Sequence, residues 1–231
     1  MSIFRSGATR RHMLGLGAAF ALAPALGPFL GPLAARAQQA ASPNAAGAGK
    51  FSSELLMASP PLPDVWLGDP KAPVTIIEYA SMTCGHCARF ETEVFPVLKK
   101  NYIDTGKARY VLREFPLDPL AAAAAMLARC SGDKREAMIE LLFAQQPHWA
   151  YVDKPLEALR DMVKQTGMGQ KEFDACLNDQ ALFNKVDQMR NEAAQKFGID
   201  ATPTFFINGD KKTGEIPADA LDKVLEPYLK K

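Results

Sequence analysis

The chain is 231 residues long, 48% hydrophobic and 23% charged, with a formal net charge of +1. That composition suits one globular domain with a proper core and excludes disorder over most of the length. It also excludes a strongly basic nucleic-acid-binding surface. Arg5, Arg10, Arg11 and Arg36 all fall in residues 1–37 with no acid among them, and without that stretch the net charge is −3.

Residues 1–37 read as an export signal. Met13 to Ala35 is apolar and rich in Ala, Gly and Leu, and Ala35-Arg36-Ala37 supplies a small-x-small cleavage pattern, so cleavage after Ala37 is expected. A membrane anchor is the competing reading on length alone, but Pro24, Pro28 and Pro32 make it a poor spanning helix. Thr9-Arg10-Arg11-His12-Met13-Leu14 resembles the twin-arginine export motif, with Met13 where Phe is usual and Gly15 where Lys is common. Both the twin-arginine and the general secretory route stay open. Cys84, Cys87, Cys130 and Cys176 all follow the signal and would reach a compartment where disulfides persist.

Residues 38–63 read as a flexible lead with a short helical turn at Phe51 to Met57, and the folded domain is expected to begin near Pro60 and cover 64–231. Asp64-Val65-Trp66-Leu67 is expected as a first edge strand, ended by Gly68-Asp69-Pro70. Val74 to Tyr79 is a second apolar run, and Ala88 to Lys100 carries Phe90, Val94, Val97 and Leu98 at helical spacing. Ala108 to Phe115 is a strand stopped by Pro116, so strand, helix and strand predict a parallel unit with a right-handed crossover.

From about residue 118 to 198 the periodicity is helical throughout, which predicts an inserted all-helical subdomain on an α/β frame. Strand signals return at Thr204 to Ile207, followed by the turn pair Asn208-Gly209 and a weak edge strand near Lys211 to Ile216. Pro217 opens a last helix with Leu221, Val224, Leu225 and Leu229 on one side.

The chemistry concentrates in Cys84-Gly85-His86-Cys87, which stands between a strand and a helix. A thiolate at a helix N-terminus meets unpaired backbone N–H groups and the positive end of the macrodipole, so the Cys84 pKa should fall below the ~8.5 of a free thiol. Cys87, one turn further in, should be more buried and stay protonated longer. That pairing makes a nucleophile and a resolving thiol. Zinc binding is the bland alternative, but zinc wants four ligands, and the chain has no second C-x-x-C and only His12, His86 and His148. No metal and no cofactor are expected. A purely structural disulfide across so short a loop would add little stability.

With these elements in place, the chain resembles the thioredoxin fold with a helical insertion, specifically the DsbA-like family of exported thiol:disulfide oxidoreductases. Glu78 six residues before Cys84, the C-x-x-C opening a helix, the helical block and Thr202-Pro203 entering the next strand carry the resemblance, over roughly Asp64 to Leu229. It implies a cis Pro203 beside the cysteines, with Thr202 presenting backbone groups to a substrate peptide; an ordinary trans proline opening a strand is the other reading. Glu78 would be a partly buried acid with a raised pKa that exchanges a proton with Cys87, against a solvent-facing position on its strand. His86 would bond to the Cys84 thiolate or place positive charge beside it. For Cys130 and Cys176, export favours a disulfide and some members of the family carry one there; two free buried cysteines are the alternative.

The implied activity is donation of the Cys84–Cys87 disulfide to reduced exported proteins in the periplasm by a monomer that a quinone-linked membrane oxidase re-oxidises. An isomerase or reductase of the same fold is the nearest rival. A copper- or zinc-handling protein on this scaffold is a weaker one.

Overall fold

The computed structural model describes residues 49–58 and 60–230, so the expected export signal and the first part of the lead lie outside the described residues. Four strands form one sheet: β1 (Val74–Ala80), β2 (Ala108–Glu114), β3 (Thr204–Ile207) and β4 (Asp210–Thr213), in the order β2-β1-β3-β4. β1 is parallel to β2 and antiparallel to β3, and β4 pairs antiparallel with β3. Side chains alternate across the two faces of each strand. Ile76, Ala80, Tyr110, Leu112, Phe205 and Ile207 therefore join the larger core on one face, and Ile77, Tyr79, Val111 and Phe206 a smaller core on the other. Burial on both sides is why β1 and β3 are such continuous apolar runs.

The helix after β1 is less regular than its spacing suggests. After α1 (Ser53–Met57), a short turn near the N-terminus, come α2 (Gly85–Arg89), a wide π-type turn at Phe90–Val94, α3 (Phe95–Leu98) and a second wide turn at Lys99–Ile103. The first interruption has a local cause: Pro96 has no N–H to give the carbonyl of Thr92 one turn back.

The insertion is α4 (Pro119–Cys130), α5 (Arg135–Ala144), α6 (Gln146–Trp149), α7 (Pro155–Val163), α8 (Gln170–Leu177) and α9 (Gln180–Phe197), and α10 (Leu221–Leu229) closes the chain. Asp118 caps α4 by accepting from Ala121 N at 2.8 Å, with Pro119 at the first turn. A disulfide joins Cys130 at the end of α4 to Cys176 in α8, 46 residues apart. In the chain-entropy picture such a loop stabilises by at most about 4 kcal/mol. The insertion is also tied to the sheet by charge. Buried Glu114 on β2 accepts two bonds of 2.6 Å from Arg129 and one of 2.8 Å from Arg135. Burial alone would raise its pKa, but the two guanidiniums hold the carboxyl below its usual range.

Two expectations at the N-terminal edge are corrected. Asp64 to Leu67 is not a strand: Leu67 makes a single bridge with Tyr110, and Asp64 is turned inward to receive the Arg113 guanidinium at 2.9 and 2.7 Å. Part of the expected lead is packed. The Phe51 ring stands 5.6 Å from Phe197 and 5.3 Å from Phe206, edge-on to both, and Leu56 is buried in the smaller core. An aromatic residue offered an apolar slot between two rings docks, whatever the composition around it.

That docking depends on the β3–β4 turn. Phe51 N donates to Gly209 O at 2.8 Å, and Gly209 has φ +93° with the Phe51 carbonyl oxygen standing where a Cβ would clash with it. Gly209→Ala meets both a strained backbone and a clash, and should lower unfolding stability by about 1–3 kcal/mol in denaturant titration. An unchanged midpoint would show that the Phe51 segment does not hold the turn.

Candidate active site

Cys84 is the N-cap residue of α2, in an extended conformation with φ −84° and ψ 117°, and Cys87 lies inside the helix. Both are free thiols; Cys84 is 9% exposed and Cys87 1%. The largest influence on Cys84 is the Cys87 S–H, which donates to its sulfur. Burial works against ionisation, while the Thr202 hydroxyl and the backbone N–H groups of Cys87 and His86 favour it, and the result is a pKa of about 5. Cys87 moves the other way: burial pushes its thiol well up, and its bond to Cys84 and the negative charges of Glu78 and Cys84 add to that. The two thiols thus titrate far apart although they share one helical turn.

The Thr202–Pro203 peptide bond is cis. The Thr202 carbonyl lies 3.3 Å from Cys84 Sγ, as acceptor for the thiol form, and the Thr202 hydroxyl is buried with no hydrogen-bond partner within bonding distance. Glu78 is buried in the centre of β1, on the same sheet face as Tyr110, whose hydroxyl donates to it at 2.5 Å. Burial is the main reason its pKa stands well above the carboxylate range. The Tyr110 bond opposes that, and the charges of Glu91 and Cys84 reinforce it. The solvent-facing alternative for Glu78 is ruled out by this placement.

His86 is not where the sequence reading puts it. Its ring is exposed and pairs away from the cysteines, with Nδ1 2.5 Å from Glu215 Oε1 and 2.7 Å from the Arg89 guanidinium. The motif's middle residue therefore assists Cys84 through its backbone N–H, while its side chain pairs with a residue 129 positions away. His148, given no role, is exposed on α6.

Several residues of the site escape sequence reasoning. Gln146 is buried and donates from Nε2 to Met82 O at 2.8 Å and Cys84 O at 3.1 Å. Tyr151 donates to Thr83 O at 2.7 Å, and Asp118 accepts from Thr83 Oγ1 at 2.5 Å. Glu91 is buried, and desolvation raises its pKa to about 8, with Glu136 and Glu140 adding to the rise and Arg135 opposing it. Only Glu91 left a signal: it is four residues after Cys87 and three before Val94, on the buried face of the helix. The others come from the insertion and answer to no local pattern. Among the described residues, no three His, Cys, Asp or Glu stand together as a metal-ligand group.

A mixed sheet with a C-x-x-C at a helix N-terminus, facing a cis proline that opens the neighbouring strand, defines a thiol:disulfide redox protein of thioredoxin type. Comparison with known proteins agrees. A thioredoxin family model matches residues 62–227. A Rickettsia conorii protein bearing a protein-disulfide oxidoreductase name is 38% identical over 174 residues, 73% of this chain, and the match spans 62% of that relative's length. The solved structure of Wolbachia pipientis alpha-DsbA1 is 36% identical and covers 78% of this chain and 96% of its own, with a TM-score of 0.70. Bacillus subtilis BdbD, at 23% identity and TM-score 0.65 over 80% of this chain and 98% of its own, shares the fold. The chain belongs to the thioredoxin family and, within it, to the DsbA-like thiol:disulfide oxidoreductases.

Thiolate absorbance followed against pH on the reduced protein should show one cysteine ionising near 5 and no second ionisation below about 9. A Cys84→Ser variant should lose the acidic transition. A first transition near 8 would mean that the Cys87 S–H and the helix N-terminus do not act on Cys84 as the geometry requires.

Proposed function

We propose that this protein is an exported, periplasmic dithiol oxidase that donates the Cys84–Cys87 disulfide to reduced substrate proteins. The observation that carries the reading is the placement of Cys84 at the N-cap of α2, where the Cys87 S–H and the backbone N–H groups of Cys87 and His86 favour a thiolate that exists only in the reduced protein. A substrate thiolate attacks Cys84 Sγ, the less buried sulfur. The Cys84–Cys87 bond breaks, its electron pair goes to Cys87, and protonated Glu78 supplies the proton through solvent. The substrate's second thiol, once deprotonated, then attacks the substrate sulfur of the mixed disulfide and Cys84 leaves as thiolate. The substrate has lost two electrons and gained a disulfide. The enzyme has gained both electrons and holds one thiolate and one thiol. Thr202, in the segment that leads into β3, would align the substrate backbone through its own backbone groups, as in strand addition.

Energetics point the same way. At pH 7 a thiol ionising at about 5 favours the reduced enzyme by about 2.7 kcal/mol over one ionising at or above neutrality. For a two-electron couple that is about 60 mV toward oxidising. DsbA itself is the type example of this linkage, so the figure applies a rule already drawn from the family. The sign follows from the lowered pKa: the preference is lost as pH falls through about 5, where the thiolate is protonated. The midpoint potential should therefore fall by ~59 mV per pH unit below pH 5, where reduction takes up two protons, and by ~30 mV above it, where it takes up one. A slope of ~59 mV persisting to pH 8 in a glutathione-buffered equilibrium would contradict a stable thiolate.

The isomerase reading demands a protein that holds a misfolded chain through repeated exchange, for which paired sites in a dimer are an advantage. Our reading instead takes the mature protein as a monomer, re-oxidised by a quinone-linked membrane oxidase. Made from Gln38 onward, it should oxidise a reduced dithiol peptide rapidly and rescue a scrambled multi-disulfide protein poorly. A stable dimer or trimer with strong rescue activity would select the isomerase.

A further inference from the structure

The mid-motif histidine takes its side-chain partners from outside the cysteine pair, and the structure shows what holds it. Glu215 Oε1 sits 2.5 Å from His86 Nδ1 and accepts from Arg89 Nε at 2.7 Å, while the Arg89 guanidinium also reaches Nδ1 at 2.7 Å. The ring nitrogen lies between a carboxylate and a guanidinium, so it has a partner whether it carries a proton or not. Exposed ion pairs are ordinarily weak and mobile. This one is built in.

Glu215 follows Gly214, whose φ of +94° few other residues adopt and whose N–H donates to Pro203 O at 2.9 Å. The next residue, Ile216, is buried in the main core. The loop that carries Glu215 is thus fastened on one side to the carbonyl of the cis proline and on the other to the core. Its carboxylate is presented at the first turn of α2. The His86 backbone N–H, meanwhile, already faces the Cys84 sulfur, which leaves the ring tethered only a few bonds from it.

We propose that Glu215 is a positioning residue that draws the His86 ring off the Cys84 nucleophile, and so limits the positive charge the motif places beside its thiolate. Glu215 touches neither sulfur; it acts through His86, and through Arg89, which it holds on the same side. The site is in this way kept less oxidising than its C-G-H-C sequence would allow. Released from Glu215, a ring protonated on Nδ1 is repelled by Arg89 and swings toward the nearest negative charge, the thiolate. This deepens the redox reading above and rests on Cys84 being the attacking thiol.

The test is a cycle of Glu215→Ala, Glu215→Gln, His86→Ala and the Glu215→Ala/His86→Ala double variant. Each is measured by thiolate absorbance against pH and by equilibrium with glutathione. An opposite charge brought near an ionising group at a partly solvated site shifts it by about 3- to 10-fold. Glu215→Ala should accordingly move the thiol–thiolate and the glutathione equilibria by that factor, about 15–30 mV more oxidising. Glu215→Gln, whose amide oxygen can still accept from Nδ1, should shift them less, and His86→Ala alone should shift them little. In the His86→Ala background, Glu215→Ala should have no effect. An unchanged equilibrium in Glu215→Ala would overturn the proposal. So would an equal shift with and without His86, which would mark a direct charge effect of Glu215 on the sulfur. These failures differ from failure of the oxidase reading, which would appear as a parent protein whose Cys84 does not ionise below neutrality.

Discussion

One negative charge, on the sulfur of Cys84, sets the terms for everything around it. It persists at neutral pH because Cys87 donates its S–H to it, and Cys87 can do so only while it keeps its proton. The two cysteines therefore need opposite surroundings three positions apart in one chain. Placing one at the N-cap and the other a turn deeper does this with the least structure. The N-cap offers backbone donors, and the interior withholds water from the second sulfur. β1 extends the same logic: burial raises the Glu78 pKa well above the usual carboxylate range, and the Tyr110 hydroxyl gives the buried carboxyl a partner.

The helical insertion is part of this arrangement. The residues before an N-cap leave carbonyls facing inward, and at this site they belong to Met82, Thr83 and Cys84. Gln146 and Tyr151, both from the insertion, supply the donors. Asp118 caps α4 with one carboxylate oxygen and takes the Thr83 hydroxyl with the other, so helix and active-site turn share an anchor. The Cys130–Cys176 disulfide and the Glu114 cluster with Arg129 and Arg135 fix the insertion within itself and to β2. Removing one partner of such a buried cluster strands the other charge, at a cost of about 3–5 kcal/mol.

How much of this could be read in the sequence follows from the range of the interactions. The strands, the helix N-terminus at Cys84, the Thr202-Pro203 entry to β3 and the Asn208-Gly209 turn are local features, and local patterns report them. Asn208, at φ 47°, also takes the Thr75 N–H at 2.7 Å, a contact that no turn rule foretells. Phe51 was hidden among Ala, Gly and Ser because its partners, Phe197 and Phe206, are far along the chain. Asp64 was hidden because a β-like run gave no hint of the arginine it would meet. His86 is legible as a neighbour of Cys84 in sequence, whereas its ring nitrogen pairs with Glu215, 129 positions away, and with Arg89. Glu91 shows the opposite case, a signal present and passed over: its position on the Cys87–Val94 face was visible, but a carboxylate in a charged stretch reads as surface.

In the reaction proposed above, the split between the two thiols also makes the two exchange steps unequal. In the second, Cys84 leaves as a stabilised thiolate, and a leaving thiol of low pKa departs quickly. In the first, the group expelled is Cys87, whose buried thiolate is the costlier ion and a poor leaving group. The same burial that keeps Cys87 a donor to Cys84 would thus slow the opening of the enzyme's own disulfide. The proposed role of Glu78 on the neighbouring strand removes the conflict, since Cys87 need never carry full charge if a proton reaches it as the bond breaks. Burial is what lifts the Glu78 pKa well above the carboxylate range, and a solvent-facing carboxylate on the same strand would hold its proton less tightly. The depth of β1 in the sheet and the speed of disulfide transfer are in this sense one requirement.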